Sequence, residues 1–283
     1  MLARRALLGL ALAALGGLPR AASAKSPAAS LAPDIKRILD RGRLLVAVAG
    51  VEAPPFVVTG ADGTLRGTDI DLAQGMAKAL GVAVAFDRRA RTVDEVIDRV
   101  ARHEADLAIS KLSETLDRAM RVRFSRPYLV LHHALLLNRL RFAQIAQGRD
   151  PLEVVRGGDA TVAVIGGTAY VDYARRLLPH ARLREYPRWE PEAVDALLRG
   201  EAVAAYGDEL EVKRALAARP EAPLQLRPAI LTDTRDPIGV ALPWDSTQLL
   251  AWVDVYLETE TQPMSVEALL ARDVKPAAKG PTE

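Results

Sequence analysis

The chain has 283 residues, with 38 lysines and arginines against 36 acids, four histidines and no cysteine. The lack of cysteine excludes disulfides, thiolate metal sites, a cysteine nucleophile and lipid attachment to an N-terminal cysteine. The basic residues are scattered among acids with no accompanying aromatic ladder, which argues against nucleic-acid binding.

Residues 1–24 read as an export leader. Arg4-Arg5 makes a positive start, residues 6–18 form an apolar run, and Ala22-Ser23-Ala24 is an A-x-A cleavage pattern. The run is shorter than the ~20 apolar residues of a membrane span. Arg4-Arg5 also fits a loose twin-arginine pattern, which leaves the export route open. The leader holds three arginines and no acid, so its removal takes the formal charge of +2 to −1. Export without a lipid anchor predicts a freely diffusing periplasmic protein.

After a small-residue stretch up to Pro33, strands and helices alternate. Residues 44–48 predict a buried strand, and Val57-Val58 begins a second that turns at Ala61-Asp62-Gly63. Thr68-Asp69 is placed to cap a helix with the apolar face Leu72, Met76 and Leu80, ended by Gly81. A strand over 82–86, a helix over 93–102 and a strand over 107–109 follow. Residues 128–137 are nearly continuous apolar sequence, long for one strand of a small sheet. A second set then alternates: strand 161–164, helix 169–178, strand 183–186, helix 191–198, strand 202–206 and helix 208–217. Short strands at 224–226 and 238–242 and a helix at 246–257 complete the pattern. The tail after Asp273 is rich in lysine, proline and alanine, a composition that predicts disorder. This order is that of an α/β protein with mainly parallel sheets and helices on both faces. Two such sets joined by a long strand predict two lobes, with a ligand cleft at the carboxyl ends of the strands.

Three strand ends carry candidate chemistry. After strand 107–109 come Ser110, Lys111, Ser113, Thr115 and Arg118. The planar fork of Arg118 suits a carboxylate through two parallel hydrogen bonds, with a hydroxyl sharing the load. The plainer alternative is a surface arginine at a helix start with Ser113 and Thr115 as caps. Gly166-Gly167-Thr168 joins a strand to a helix start, whose free N–H groups and dipole suit an anion, although the same residues also make a tight turn. Asp208 follows strand 202–206 and is either an acceptor for a ligand ammonium or an ordinary helix cap. Taken together, these groups are the minimal set for recognising an α-amino acid zwitterion. His103, His132, His133 and His180 show no i,i+4 ligand pairing and no evident serine partner, so neither a metal site nor a nucleophilic triad is expected.

The chain resembles the family 3 extracellular solute-binding proteins, the polar amino-acid class of ABC importers, from about Ile35 to Asp273. The resemblance rests on Pro54-Pro55-Phe56, Gly67-Thr68-Asp69-Ile70-Asp71-Leu72-Ala73, the block from Ser113 to Tyr128, Gly166-Gly167-Thr168 and the block from Gly200 to Asp208, in that order. It implies an α/β, type II periplasmic-binding-protein fold of two lobes, with crossing hinge strands near 130–135 and 225–230. Lobe 1 would comprise 33–131 and the return segment 229–273, lobe 2 would be 132–228, and 274–283 would be the tail. The resemblance places Arg118 and Thr168, flanked by Ser110, Ser113 and Gly167, on a ligand carboxylate and Asp208 on its amine. Closure would proceed by hinge bending. It further implies a monomer without cofactor that binds a small molecule, in most members an amino acid, and delivers it to an ABC permease.

Departures from the family pattern point to a changed pocket. Aromatic residues usual near Val93 and Ala53 are missing, and Lys111 stands where a small residue is common. Glu52 and Lys111 either define a charged pocket with a preference for an acidic or otherwise polar ligand, or Lys111 points along the cleft wall into solvent. A second family on this fold, the cyclohexadienyl dehydratases, is similar in its glycine turn and would make Glu211 a catalytic acid. A third reading is a lobe pair that presents a solute to a sensor or redox partner.

Overall fold

A computed structural model describes residues 31–158 and 160–274. The leader expected over 1–24 and, beyond Val274, the expected tail lie outside the described residues.

The first half opens with helix α1 (Pro33–Arg41), which starts on a proline and stops at Gly42 in the left-handed region, φ 70°. Both ends follow the usual asymmetry of proline at the start and glycine past the end. Strand β1 (Arg43–Ala47) leads to a hairpin of β2 (Val58–Thr59) and β3 (Leu65–Arg66). Helix α2 (Thr68–Ala79), strand β4 (Ala83–Asp87), helix α3 (Val93–Ala101) and strand β5 (Leu107–Ser113) follow. A single turn α4 (Leu116–Ala119) and the short strand β6 (Val122–Phe124) lead into β7 (Leu129–Asn138).

The second half runs through α5 (Arg139–Ala146), α6 (Pro151–Arg156), β8 (Thr161–Ile165), α7 (Ala169–Leu177) and β9 (Arg182–Tyr186). It continues with α8 (Val194–Leu198), β10 (Ala204–Asp208), α9 (Glu209–Ala218) and α10 (Ala222–Gln225). The chain returns along β11 (Leu226–Pro243) and ends in α11 (Thr247–Thr259) and α12 (Val266–Val274).

The main sheet has the order β4-β1-β5-β11-β7-β10-β8-β9, with β6 beside β11. Parallel β4, β1 and β5 form the first half, and parallel β10, β8 and β9 the second. Antiparallel β7 and β11 pair along their length and run through both halves as a two-stranded ribbon. Each half has its own core. Ile38, Leu44, Met76, Leu107, Leu249 and Val253 are buried in the first. Leu135, Val162, Val164 and Tyr206 fill one face of the second, and Leu136, Ala205 and Trp189 the other.

The ribbon carries one irregularity, between Leu231 and Asp236 of β11. The Thr234 hydroxyl fixes it by donating to the Leu231 carbonyl (2.6 Å) while accepting from the His133 N–H (2.8 Å). Ladder register carries two strand ends to this place. Ser113, last in β5, sits opposite Ile238, and Asp208, last in β10, sits opposite His133. Bulges next to functional sites commonly re-aim side chains in this way.

Several expectations need correction. Of the segments read as separate strands, 238–242 lies within the 18-residue β11, whereas of 224–226 only Leu226 does, residues 224 and 225 ending the short helix α10. The middle of β11, Thr232-Asp233-Thr234-Arg235-Asp236, to which the sequence pattern assigns no element, holds the bulge. Asp69 does not cap α2: Gly67 stands at the cap and Asp69 is buried. The helix expected over 191–198 is present, its first turn being a wider one that runs from Trp189 to Ala193 with Glu190 extended, ahead of the regular α8. Helices α5, α6, α10 and α12 were not anticipated.

Candidate functional site

A cleft of about 370 Å³ lies where the two halves face each other. Asp94, Thr115 and Arg118 line it from the first half, and Thr168, Ala169 and Asp172 from the second. The Arg118 side chain is only 4 % exposed. Its Nε and Nη2 donate to Asp94 Oδ1 (3.2 and 2.8 Å) and its Nη1 to the Ser113 carbonyl (3.0 Å). An arginine carries five N–H groups, so one on each terminal nitrogen has no partner among the described residues. The Thr115 hydroxyl caps α4 by accepting from the Arg118 N–H, 3.2 Å. Thr115 is therefore a cap, whereas the Ser113 hydroxyl is not, since it donates to Asp236, and Arg118 is a buried and not a surface arginine.

Across the cleft, Thr168 caps α7. Its hydroxyl accepts from the Tyr170 N–H (3.3 Å) and donates to the Ile165 carbonyl (2.7 Å). Its hydroxyl proton is thereby committed, whereas the N–H groups of Thr168 and Ala169 find no acceptor among the described residues. Free N–H groups at the start of a nine-residue helix favour an anion. Gly167 has φ 70°, and a Cβ built there would stand 3.1 Å from both Cβ and Cγ2 of Thr92, the residue that caps α3. The two halves therefore touch at the glycine turn, and a side chain at Gly167 would hold them apart.

Behind the cleft the side chains form two connected groups. Lys111 Nζ donates to Asp208 Oδ2 (2.7 Å) and Glu211 Oε1 (3.0 Å), with the Phe56 ring centroid 5.6 Å away. Asp208 is fully buried and also caps α9 by accepting from the Glu211 N–H, 3.0 Å. Lys111 is itself held at the backbone, in the left-handed region (φ 48°), with its N–H donating to Asp69 Oδ2 at 2.8 Å. Burial opposes the Lys111 charge, but the two carboxylates outweigh it and hold the ammonium above the ordinary lysine range. Asp69 also accepts from the Tyr128 hydroxyl (2.9 Å). Its burial raises its carboxyl to about 6 against these donors.

The second group centres on Asp236. Its Oδ2 accepts from the hydroxyls of Ser113 (3.1 Å) and Tyr170 (2.5 Å), and its Oδ1 from Tyr173 (3.3 Å). Burial raises the Asp236 carboxyl to about 6, partly offset by the Tyr170 hydrogen bond. His133 packs among Tyr170, Tyr173 and Tyr206, with ring centroids 4.7–5.8 Å away. Its Nδ1 pairs with the Tyr206 hydroxyl at 2.6 Å, and its Nε2 has no partner among the described residues. Burial lowers this imidazole to about 4.

The structure thus brings Arg118 and Thr168 to the cleft, leaves Ser113 and Gly167 out of its lining, with Ser113 bound to Arg118 and Asp236, and joins Lys111, Asp208 and Glu211 to one another outside it. Ser110 is buried and accepts from the Ala49 N–H (3.0 Å), tying β5 to the end of β1. Glu52 is not brought to Lys111. It accepts from the Thr59 N–H and hydroxyl (2.7 and 2.6 Å) and from Arg88 (3.2 Å), which makes it a clasp on the β2–β3 hairpin. Sequence reasoning missed Asp236, Asp94, Asp69 and the tyrosines. Only Asp94 offered a signal, as an acid in the first turn of the helix nearest Arg118. Among the described residues no group of histidines and acids could hold a metal ion, and no helix is long and apolar enough to cross a membrane.

Comparison with known proteins agrees with this geometry. A family model described as bacterial extracellular solute-binding proteins, family 3, matches residues 45–272. A membrane-bound lytic murein transglycosylase F of Maricaulis maris is 29 % identical over 179 residues, 63 % of this chain and 36 % of that protein. The L-cystine-binding protein TcyJ of Escherichia coli K12 is 27 % identical over 152 residues, 54 % of each chain. The chain therefore spans about half or less of these curated relatives. Among solved structures, the ancestral amino acid-binding protein AncCDT-1, described as a precursor of cyclohexadienyl dehydratase, is similar at a TM-score of 0.67 and 28 % identity. That match covers 85 % of this chain and 99 % of the other. The two-lobed α/β fold is that of the type II periplasmic binding proteins.

Proposed function

The chain belongs to family 3 of the bacterial extracellular solute-binding proteins, and from that premise we propose that it captures a small carboxylate-bearing solute between its two halves. The observation that carries the reading is that Arg118, on one half, and Thr168, at a helix start on the other, line the same cavity of about 370 Å³. Arg118 supplies a near-bidentate pair of N–H groups, and the start of α7 supplies two more. The carboxylate joins both halves, so binding favours closure about the β7–β11 ribbon. On this reading 33–131 with 229–273 and 132–228 are the moving lobes. The protein acts in the periplasm as a monomer and hands its solute to an ABC permease. Kinship makes an amino acid the first candidate.

The dehydratase reading requires Glu211 to give a proton. Glu211 instead accepts from the Lys111 ammonium (3.0 Å) and from Arg214 Nη1 (3.4 Å), which favours a binding role. The test is mass spectrometry of small molecules released from purified protein, with a prephenate turnover assay beside it. Recovery of one carboxylate per chain supports capture. Turnover of prephenate that disappears in Glu211→Gln would replace it with the enzyme.

A further inference from the structure

The two sides of the cleft share a support that lies outside it. Arg118 belongs to the first half and the start of α7 to the second. Their N–H groups therefore converge on one carboxylate only while the halves keep a fixed relation.

Ser113 serves the first side. Its carbonyl accepts from Arg118 Nη1 (3.0 Å), and its hydroxyl donates to Asp236 Oδ2 (3.1 Å). Tyr170 serves the second side. Its N–H donates to the hydroxyl of Thr168 (3.3 Å), and its own hydroxyl donates to the same Oδ2 of Asp236 (2.5 Å). Tyr173, on the next turn of α7, donates to Oδ1 (3.3 Å). One carboxylate thus holds the end of β5 from one half and α7 from the other.

Asp236 is suited to this by its place. It has 0 % exposure, and it is the residue at which β11 resumes pairing with β7, opposite Leu131, after the bulge. Ile238, two residues on, stands opposite Ser113 in the ladder. The nearby Lys111 ammonium is taken by Asp208 and Glu211. Among the described residues, the hydroxyls of Ser113, Tyr170 and Tyr173 are the donors to this carboxylate. A carboxylate removed from water depends on such donors, and moving α7 away from β5 would separate them.

We infer that Asp236 is a positioning residue for carboxylate capture: through Ser113 and Tyr170 it aligns the Arg118 fork with the start of α7, without itself lining the cleft. The inference rests on the cleft being a solute site and adds the residue that keeps its two sides in register.

The test is calorimetric titration of the protein with glutamate, aspartate, arginine, malate and 2-oxoglutarate. The tightest binder is then compared across variants whose thermal midpoints are also measured. Ser113→Ala and Tyr170→Phe each remove one arm and leave the lining of the cavity intact. Each should weaken binding about tenfold, the loss expected when the aligned form falls to about a tenth of the population. Combining them should weaken binding no further than the weaker-binding single variant, because neither arm aligns anything without the other. Tyr206→Phe is the control: its hydroxyl belongs to the same cluster but pairs with His133 (2.6 Å). It should leave affinity unchanged even where it lowers the thermal midpoint.

Native affinity in Tyr170→Phe, losses that multiply in the double variant, or an equal loss in Tyr206→Phe would overturn the inference and leave solute capture standing. Failure of every compound to bind the native chain would overturn both. Tyr170→Phe against Tyr206→Phe decides the matter even where Ser113→Ala fails to fold.

Discussion

Lys111 and Asp208 lie 97 residues apart in the chain, on opposite halves of the molecule, and meet at 2.7 Å. The pair joins the end of β5 to the cap of α9 and so ties the halves together. Its energetic weight comes from burial. A fully buried carboxylate that loses its cation keeps the desolvation cost without the compensating attraction.

Lys111→Met therefore removes the charge, keeps most of the stem and leaves Asp208 with its N–H donor alone. We expect a loss of about 3 kcal/mol in unfolding free energy at pH 7, read from urea denaturation. A loss below about 1 kcal/mol would mean that Asp208 is served by other donors.

Asp236 gives a pH signature. Its carboxyl lies at about 6 in the folded chain against an ordinary 3.8. The folded state therefore holds this proton more tightly than the unfolded state. The associated stability is fully present below about pH 3.8 and is lost as pH rises through about 6. The separation of roughly two units corresponds to about 3 kcal/mol. Asp236→Asn should thus become more favourable relative to the native chain as pH rises from 4 to 7.5. A difference in unfolding free energy that stays flat across this window would remove Asp236 as a buried titrating group.

How much of this was legible in the sequence differs from residue to residue. Thr168 and Asp208 cap helices at strand ends and Arg118 lies in the single turn that follows β5, and local chemistry marks such positions. The Lys111 partnership was not legible, because nothing local to β5 says which residues of α9 it meets. Asp69 was misread for a physical reason: an acid at a helix start suits a cap, and only tertiary structure shows it buried against the Lys111 N–H. Asp236 was hidden by the bulge that makes it useful. The Glu52 expectation failed because Thr59 and Arg88, close by on the surface, supply all the donors its carboxylate needs.

Gly167 tests the contact between halves. At φ 70° any side chain costs roughly 1–2 kcal/mol, and its Cβ would press on Thr92. Gly167→Ala should weaken solute binding more than it lowers stability, and small-angle scattering should show a more open bound form. Unchanged affinity would mean that the halves need not meet at this turn.

Asp94 competes with the ligand for the Arg118 fork. Asp94 is half exposed, so moving it off the guanidinium into solvent costs up to about 1 kcal/mol. Asp94→Ala should accordingly tighten carboxylate binding by up to about fivefold, as measured by titration. Weaker binding would show that Asp94 holds the fork in position instead of competing for it.

The account stands or falls on Arg118. The decisive measurement is thermal unfolding of the native chain and Arg118→Ala in the presence of a panel of amino acids, dicarboxylates and 2-oxo acids. The account predicts that at least one carboxylate raises the midpoint of the native chain by mass action and that none raises that of the variant. An equal rise in both proteins would contradict it, since a carboxylate would then be held without the buried guanidinium.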